Sequence, residues 1–171
     1  SFQNYVDRLW KARLSEPLSA TPVPILEPLK VRMITKGQAA EYYRCIELQK
    51  LMHGALRKQT PFEYIGHPID DQSWLECFGS REDLPEGCFY VSGDYKAATD
   101  NLDPSLSEFA WRCICSEVKV GDELLAFTPY LDLGIKALTR HRLHYPEISD
   151  LAPEVMQSWG QLMGSPVSFP I

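Results

Sequence analysis

The sequence predicts an α+β fold in which helices outnumber strands, with α/β as the neighbouring class. Three features lead there. Residues 29–37 alternate between apolar and mostly basic side chains, which is the period of a strand. Residues 38–58, and a stretch that starts at Asp103-Pro104, carry apolar side chains at helical spacing. Residues 88–91 form a compact apolar run ending at Ser92-Gly93-Asp94, as a buried strand does when it meets a turn. The hydrophobic fraction is 44% against 23% charged, enough apolar surface for a packed core and too much for a disordered tail. A chain of 171 residues suits one domain or part of a larger protein. No apolar run approaches the roughly 20 residues of a membrane span. No basic start followed by an apolar stretch suggests secretion. The first residue is Ser1 rather than Met, which points to an internal fragment.

Taken in order, residues 1–14 read as a short amphipathic helix with Tyr5, Leu9 and Trp10 on one side. Pro17, Pro22, Pro24 and Pro28 restrain residues 15–28, which read as an extended linker. In the strand that follows, Leu29, Val31, Met33 and Thr35 take one face and Lys30, Arg32, Ile34 and Lys36 the other. The helix over 38–58 has its stripe at Ala39, Tyr42, Tyr43, Ile46, Leu51, Met52 and Ala55. Asp70 and Asp71 cap a short helix through about Phe78, and residues 79–87 form a polar loop. Asp103 is a helix cap with Pro104 at the first helical position, and Leu106, Phe109, Ala110, Cys113 and Ile114 form its apolar stripe. Helical spacing continues over 122–139 with an interruption near Pro129, whereas residues 140–157 favour neither period. Residues 159–171 are rich in Gly and Pro, and no internal repeat is visible.

The charged and reactive residues narrow the chemistry. Seventeen Lys and Arg against 23 Asp and Glu leave a net charge of −6. Proteins that grip nucleic acid usually carry a basic excess, so such a role here rests on a local basic groove or on surface outside this sequence. Cys45, Cys77, Cys88, Cys113 and Cys115 are odd in number and irregular in spacing, which reads as reduced thiols in a cytosol-like compartment. One CxC pair is too sparse for structural zinc. No GxSxG nucleophile elbow is present, and His141 and His144 are read as structural.

Three segments remain. Asp94 at the tip of the 88–91 run and Asp100 six residues later either cap turns or share a divalent cation such as Mg²⁺, which would relieve the repulsion of two close carboxylates. Lys30, Arg32 and Lys36 form either a solvated strand face or a cationic ribbon for a triphosphate. Gly164, Ser165 and Ser168 lie in a loop that is either an ordinary turn or one that adapts to a sugar or phosphate. It is not a P-loop, since no Gly-Lys-Ser/Thr follows the glycines.

In this order the three segments resemble an RNA-dependent RNA polymerase of the narnavirus and ourmia-like virus group. Pro28-Leu29-Lys30-Val31-Arg32-Met33-Ile34-Thr35-Lys36-Gly37 is similar to that family's motif F. Ser92-Gly93-Asp94-Tyr95-Lys96-Ala97-Ala98-Thr99-Asp100-Asn101-Leu102 is similar to motif A. Gly160-Gln161-Leu162-Met163-Gly164-Ser165-Pro166-Val167-Ser168-Phe169-Pro170 is similar to motif B. The resemblance spans residues 28–171. It implies a partial right-hand polymerase: an N-terminal helix and linker over 1–27, a fingers portion over 28–87 and a palm portion over 88–171. It implies Asp94 as the catalytic ligand of a two-Mg²⁺ site. It implies Lys30, Arg32 and Lys36 against the incoming triphosphate, Asp100 on the ribose 2′-hydroxyl, and Gly164 and Ser165 in the loop beside that sugar. The partners implied are an RNA template, the nascent strand, nucleoside triphosphates and the rest of a polymerase chain, with no membrane span, in the host cytoplasm.

One departure qualifies the resemblance. The family's motif C carries a Gly-Asp-Asp, and none occurs here. Gly121-Asp122-Glu123 lies between motifs A and B, and Asp70-Asp71 precedes motif A, so both are out of order. The expectation is a chain that stops before motif C and is inactive alone, because the second metal-holding carboxylate lies elsewhere. The alternatives are a non-catalytic RNA- or nucleotide-binding module, and an α/β interaction domain whose strings match by chance.

Overall fold

The computed structural model describes residues 1, 2, 4, 5, 7, 17–62, 64–93, 95–145 and 153–169. The chain divides into two compact units, one built from Ser1–Gln49 and Ala97–Ile171, the other from Lys50–Lys96. The helix expected over 1–14 falls mostly on residues that are not described, Leu9 and Trp10 among them.

Among its described residues the first unit holds a four-stranded sheet in the order β2-β1-β5-β6. Strand β1 is Leu18–Glu27, β2 is Lys30–Gly37, β5 is His141–His144 and β6 is Glu154–Met156. β1 runs antiparallel to β2 and parallel to β5, and β5 runs antiparallel to β6. The proline-rich stretch read as a linker is therefore a sheet strand. Pro22 and Pro24 sit opposite Thr35 and Met33 of β2. β5 pairs only with residues 18–20, so beyond Thr21 the other side of β1 is open among the described residues. Two prolines at period two direct their missing donors to that open side, where no ladder bond is lost. Leu18 and Ala20, flanked on both sides, are buried.

The β1–β2 turn places Pro28 first and Leu29, at φ 61°, second. Proline pre-sets the first position, and a positive φ at the second is the arrangement of a type II turn. β2 forms as its alternation predicts, but the apolar face is not buried. Val31 is 60% and Met33 56% exposed, and Leu29 is fully exposed.

Helix α1, Ala39–Leu56, follows β2, and Cys45, Leu48 and Met52 are its buried apolar residues. Helix α3, Pro104–Glu117, begins as its sequence requires: Asp103 accepts from the Ser105 N–H at 2.8 Å, and Pro104 occupies the first turn. The stretch 122–139 is not one interrupted helix. β3 (Lys119–Val120) and β4 (Glu123–Leu124) form a two-residue hairpin turned at Gly121, whose φ is 65°. The Gly121-Asp122-Glu123 string is that turn. A 3₁₀ turn, Leu125–Phe127, and Pro129 then lead into α4, Tyr130–Thr139, which is buried along residues 133–139. Gly134 leaves room for the Trp111 indole, which a Cβ would strike, and the indole N–H donates to the Leu131 carbonyl at 3.0 Å. Trp111, Leu125, Leu133, Leu138 and Val167 are fully buried and form the centre of the core. Residues 140–157, ambiguous in sequence, supply β5 and β6.

The second unit contains α2, Asp71–Phe78. Asp70 caps it by accepting from the Ser73 N–H at 2.8 Å, which holds its carboxyl below the usual range. Trp74, Phe78 and Tyr90 cluster with ring centroids 4.6–6.5 Å apart. The Tyr90 hydroxyl donates to the Phe78 carbonyl at 2.7 Å. Residues 88–91, expected as a buried strand, are irregular, with Phe89 77% and Val91 80% exposed. A strand needs a hydrogen-bonding neighbour, and the described residues of this unit contain none.

Candidate functional site

Within the first unit, three segments read as distinct in sequence meet at residues 160–165. From β2, the Thr35 N–H donates to the Met163 carbonyl at 2.8 Å and the Thr35 hydroxyl donates to the same oxygen at 2.9 Å. Gly164, at φ 125°, packs so closely on the Thr35 carbonyl that a Cβ would collide with it. No residue with a side chain suits both that φ and that approach. From the other direction, the Gln161 N–H donates to the Thr99 carbonyl at 2.8 Å. Gly160, at φ 66°, lies against the same turn, where a Cβ would stand 2.8 Å from the Asp100 carbonyl oxygen.

The expected site residues distribute as follows. Arg32 points its guanidinium to Glu27, with Nε to Oε1 at 3.0 Å, and Nη1 lies 3.9 Å from the Met163 sulfur. An arginine has five N–H donors, so this pairing leaves donors for an anion. Lys30 and Lys36 are exposed and make no ion pair among the described residues. Asp100 lies in the 3₁₀ turn Thr99–Asn101, exposed, with no hydrogen bond or ion pair among the described residues. Its backbone alone places it. The Ser165 hydroxyl is buried and donates to the Ala137 carbonyl at 2.6 Å, so it anchors the loop to α4. Met163 and Gly164 are the exposed part of the loop. Asp94 lies outside the described residues, and with it the expected convergence of Asp94, Asp100 and Arg32.

Magnesium takes about six hard oxygen ligands. Around 160–165 the described residues offer a single carboxylate of the expected set, Asp100, which does not make a site. Among the described residues no group of three or more His, Cys, Asp and Glu is placed to hold a metal ion. None of their helices is long and apolar enough to cross a membrane. All five cysteines are free thiols. Burial pushes Cys45 and Cys115 up to about 12, whereas Cys88 and Cys113 are exposed.

Sequence reasoning missed the polar groups beneath the loop. Gln157 Nε2 donates to the Gly160 carbonyl at 2.8 Å and to the Leu138 carbonyl at 3.1 Å. Its Oε1 accepts from His141 Nδ1 at 2.9 Å, and His141 Nε2 lies 3.3 Å from the Tyr42 hydroxyl. The sequence signal for it was slight: His141 lies between Arg140 and Arg142 in a stretch with neither helical nor strand period.

The RNA-dependent RNA polymerase of Ourmia melon virus (isolate Melon/Iran/VE9) is 37% identical over 153 residues, a match covering 86% of this chain. The chain is similar to part of a viral RNA-dependent RNA polymerase. It spans 18% of that protein's length. No family model matches the chain, and no solved structure matches it. The similarity extends over most of the chain rather than over three short strings.

Proposed function

We propose that this chain is a fingers-and-palm segment of a viral RNA-dependent RNA polymerase of the narnavirus and ourmia-like group, acting in the host cytoplasm. The observation that carries the reading is 37% identity over 86% of the chain. The division is a helix and proline-rich stretch over 1–27, a fingers portion over 28–87 and a palm portion over 88–171. Motif F is 28–37, motif A 92–102 and motif B 160–170. The junction of Thr35, Thr99 and residues 160–165 supports it, because such a polymerase needs those motifs around one nucleotide.

The roles follow from chemistry. Lys30, Arg32 and Lys36 neutralise the incoming triphosphate, Arg32 with a planar fork and the lysines as point charges. Asp100, exposed and unpaired among the described residues, accepts from the ribose 2′-hydroxyl, the group that separates RNA from DNA precursors. Gly164 presents bare backbone to the sugar, while Ser165 holds the loop in place. Mg²⁺ supplies charge neutralisation at the transferring phosphoryl group. Asp94 is its ligand in this chain, with the second carboxylate contributed from elsewhere in the polymerase.

Asp94→Asn in the full-length polymerase tests the reading by primer extension alongside RNA binding. Loss of synthesis by 10³-fold or more with RNA binding retained is the expected result. Unchanged synthesis overturns it. Absence of synthesis in the parent polymerase, with RNA still bound, favours a non-catalytic RNA-binding module.

A further inference from the structure

Three side chains outside the polymerase-like strings, Tyr42, His141 and Gln157, form one hydrogen-bonded chain beneath the 160–165 loop. Both hydrogens of the Gln157 amide go to carbonyls, those of Gly160 and Leu138. Its oxygen must therefore face His141, where it accepts from the backbone N–H at 3.2 Å and from Nδ1 at 2.9 Å. That assignment puts the proton on Nδ1 and leaves Nε2 to accept from Tyr42. The Gln157 backbone N–H also donates to the His141 carbonyl at 2.8 Å. At the far end the Tyr42 ring lies over Gly37, the last residue of β2, where a Cβ would strike it. The chain thus runs from the end of β2 through α1 and β5 to Gly160.

Gly160 is where this chain meets the Asp100 turn. Its backbone touches Thr99 and Asp100, and its neighbour Gln161 holds the Thr99 carbonyl. The Gly160 carbonyl and the Gln161 N–H belong to one peptide plane, held at its oxygen by Gln157 and at its N–H by the Thr99 carbonyl, so without the Gln157 donor that plane is held at one end alone. The Asp100 carboxylate has no side-chain partner of its own among the described residues, and its position follows that of the turn. We infer that Gln157 is a positioning residue that sets the Asp100 turn through the Gly160 carbonyl, and so tunes discrimination between ribo- and deoxyribonucleotides.

This inference rests on the reading of Asp100 as the ribose contact, and its test separates the two. Gln157→Leu removes both donors and the acceptor at similar volume. Gln157→Glu keeps an acceptor facing His141 but sets a carboxylate oxygen against the Leu138 and Gly160 carbonyls in place of the donors, and it carries the test if Gln157→Leu does not fold. In the full-length polymerase, either variant lowers the ribo-to-deoxy ratio of kcat/KM about tenfold, the loss of one good hydrogen bond. The change falls on KM for the ribonucleotide, with kcat within about twofold. In the 171-residue chain, the NMR amide signals of Gly160, Gln161 and Asp100 shift while that of Leu133 does not. Asp100→Ala is the companion variant. If it lowers the ratio and the Gln157 variants do not, the inference is overturned and the reading of Asp100 stands. If Asp100→Ala leaves the ratio untouched, the ribose role falls and the inference with it. Amide shifts confined to His141 also overturn it.

Discussion

Acidification from pH 6.5 should destabilise this chain through His141. That imidazole is fully buried, with Nδ1 given to Gln157 and Nε2 facing the Tyr42 hydroxyl. Burial pushes it down from 6.5 to about 4, and the Gln157 hydrogen bond offsets only part of that. The unfolded chain binds the proton near 6.5 and the folded chain only near 4, so protonation favours unfolding. The stabilising contribution is complete above pH 6.5 and is lost as pH falls toward 4. The gap corresponds to roughly 3 kcal/mol, at about 1.4 kcal/mol per tenfold change in affinity, most of it gone by pH 4.5. Asp70, Asp83, Asp103 and Glu108 all sit below their ordinary values, so their losses come at lower pH. Urea unfolding followed by tryptophan fluorescence at pH 7.5, 6.5, 5.5 and 4.5 measures the slope. His141→Phe should be less stable at pH 7.5 and flatter with pH. A parent chain whose stability is level over this range, or a variant with the same slope, would refute the reasoning.

Other outcomes follow from the same structure. Gly164→Ala should cost about 2–3 kcal/mol in chemical unfolding, because its positive φ is strained for alanine and its Cβ meets the Thr35 carbonyl. The same variant should speed hydrogen exchange at the Thr35 amide. Trp111→Ala should cost about 3–5 kcal/mol by urea unfolding, since a fully buried indole and its hydrogen bond to Leu131 are both lost. With a thiol reagent at pH 7.5, Cys88 and Cys113 should react within seconds to minutes and Cys45 and Cys115 only on unfolding, as mass spectrometry of the labelled peptides would show.

What was legible in the sequence was local. Asp70 and the Asp103-Pro104 pair announce helix starts because a cap needs only its own next few residues. β2 follows from its period; α1 forms where expected, but it buries Cys45, Leu48 and Met52 while Tyr43, Ile46 and Leu51 of the expected stripe stay exposed. β1 was not legible, because four prolines argue against sheet until one knows that its outer side is open beyond Thr21. Residues 88–91 failed for the opposite reason: an apolar run states a preference for burial but not whether a neighbour exists to bury it. The polymerase-like strings set the expectation that 28–37, 92–102 and 160–170 share one site, yet not what holds them together. Gln157 and His141 are 16 residues apart, and Tyr42 is 99 from His141, separations at which no pattern operates.

The parallel pairing of Leu18 with His141 has a consequence for how the chain is made. The ribosome adds roughly 120 residues between those two partners, which at about 5–20 residues per second takes about 6–25 s. Through that interval the nascent hairpin carries an unclaimed flank that any other extended polypeptide could zip onto. Pro22 and Pro24 lie just past the residues that β5 later covers, and their lack of amide hydrogens denies a stray strand its ladder there both before and after β5 is made.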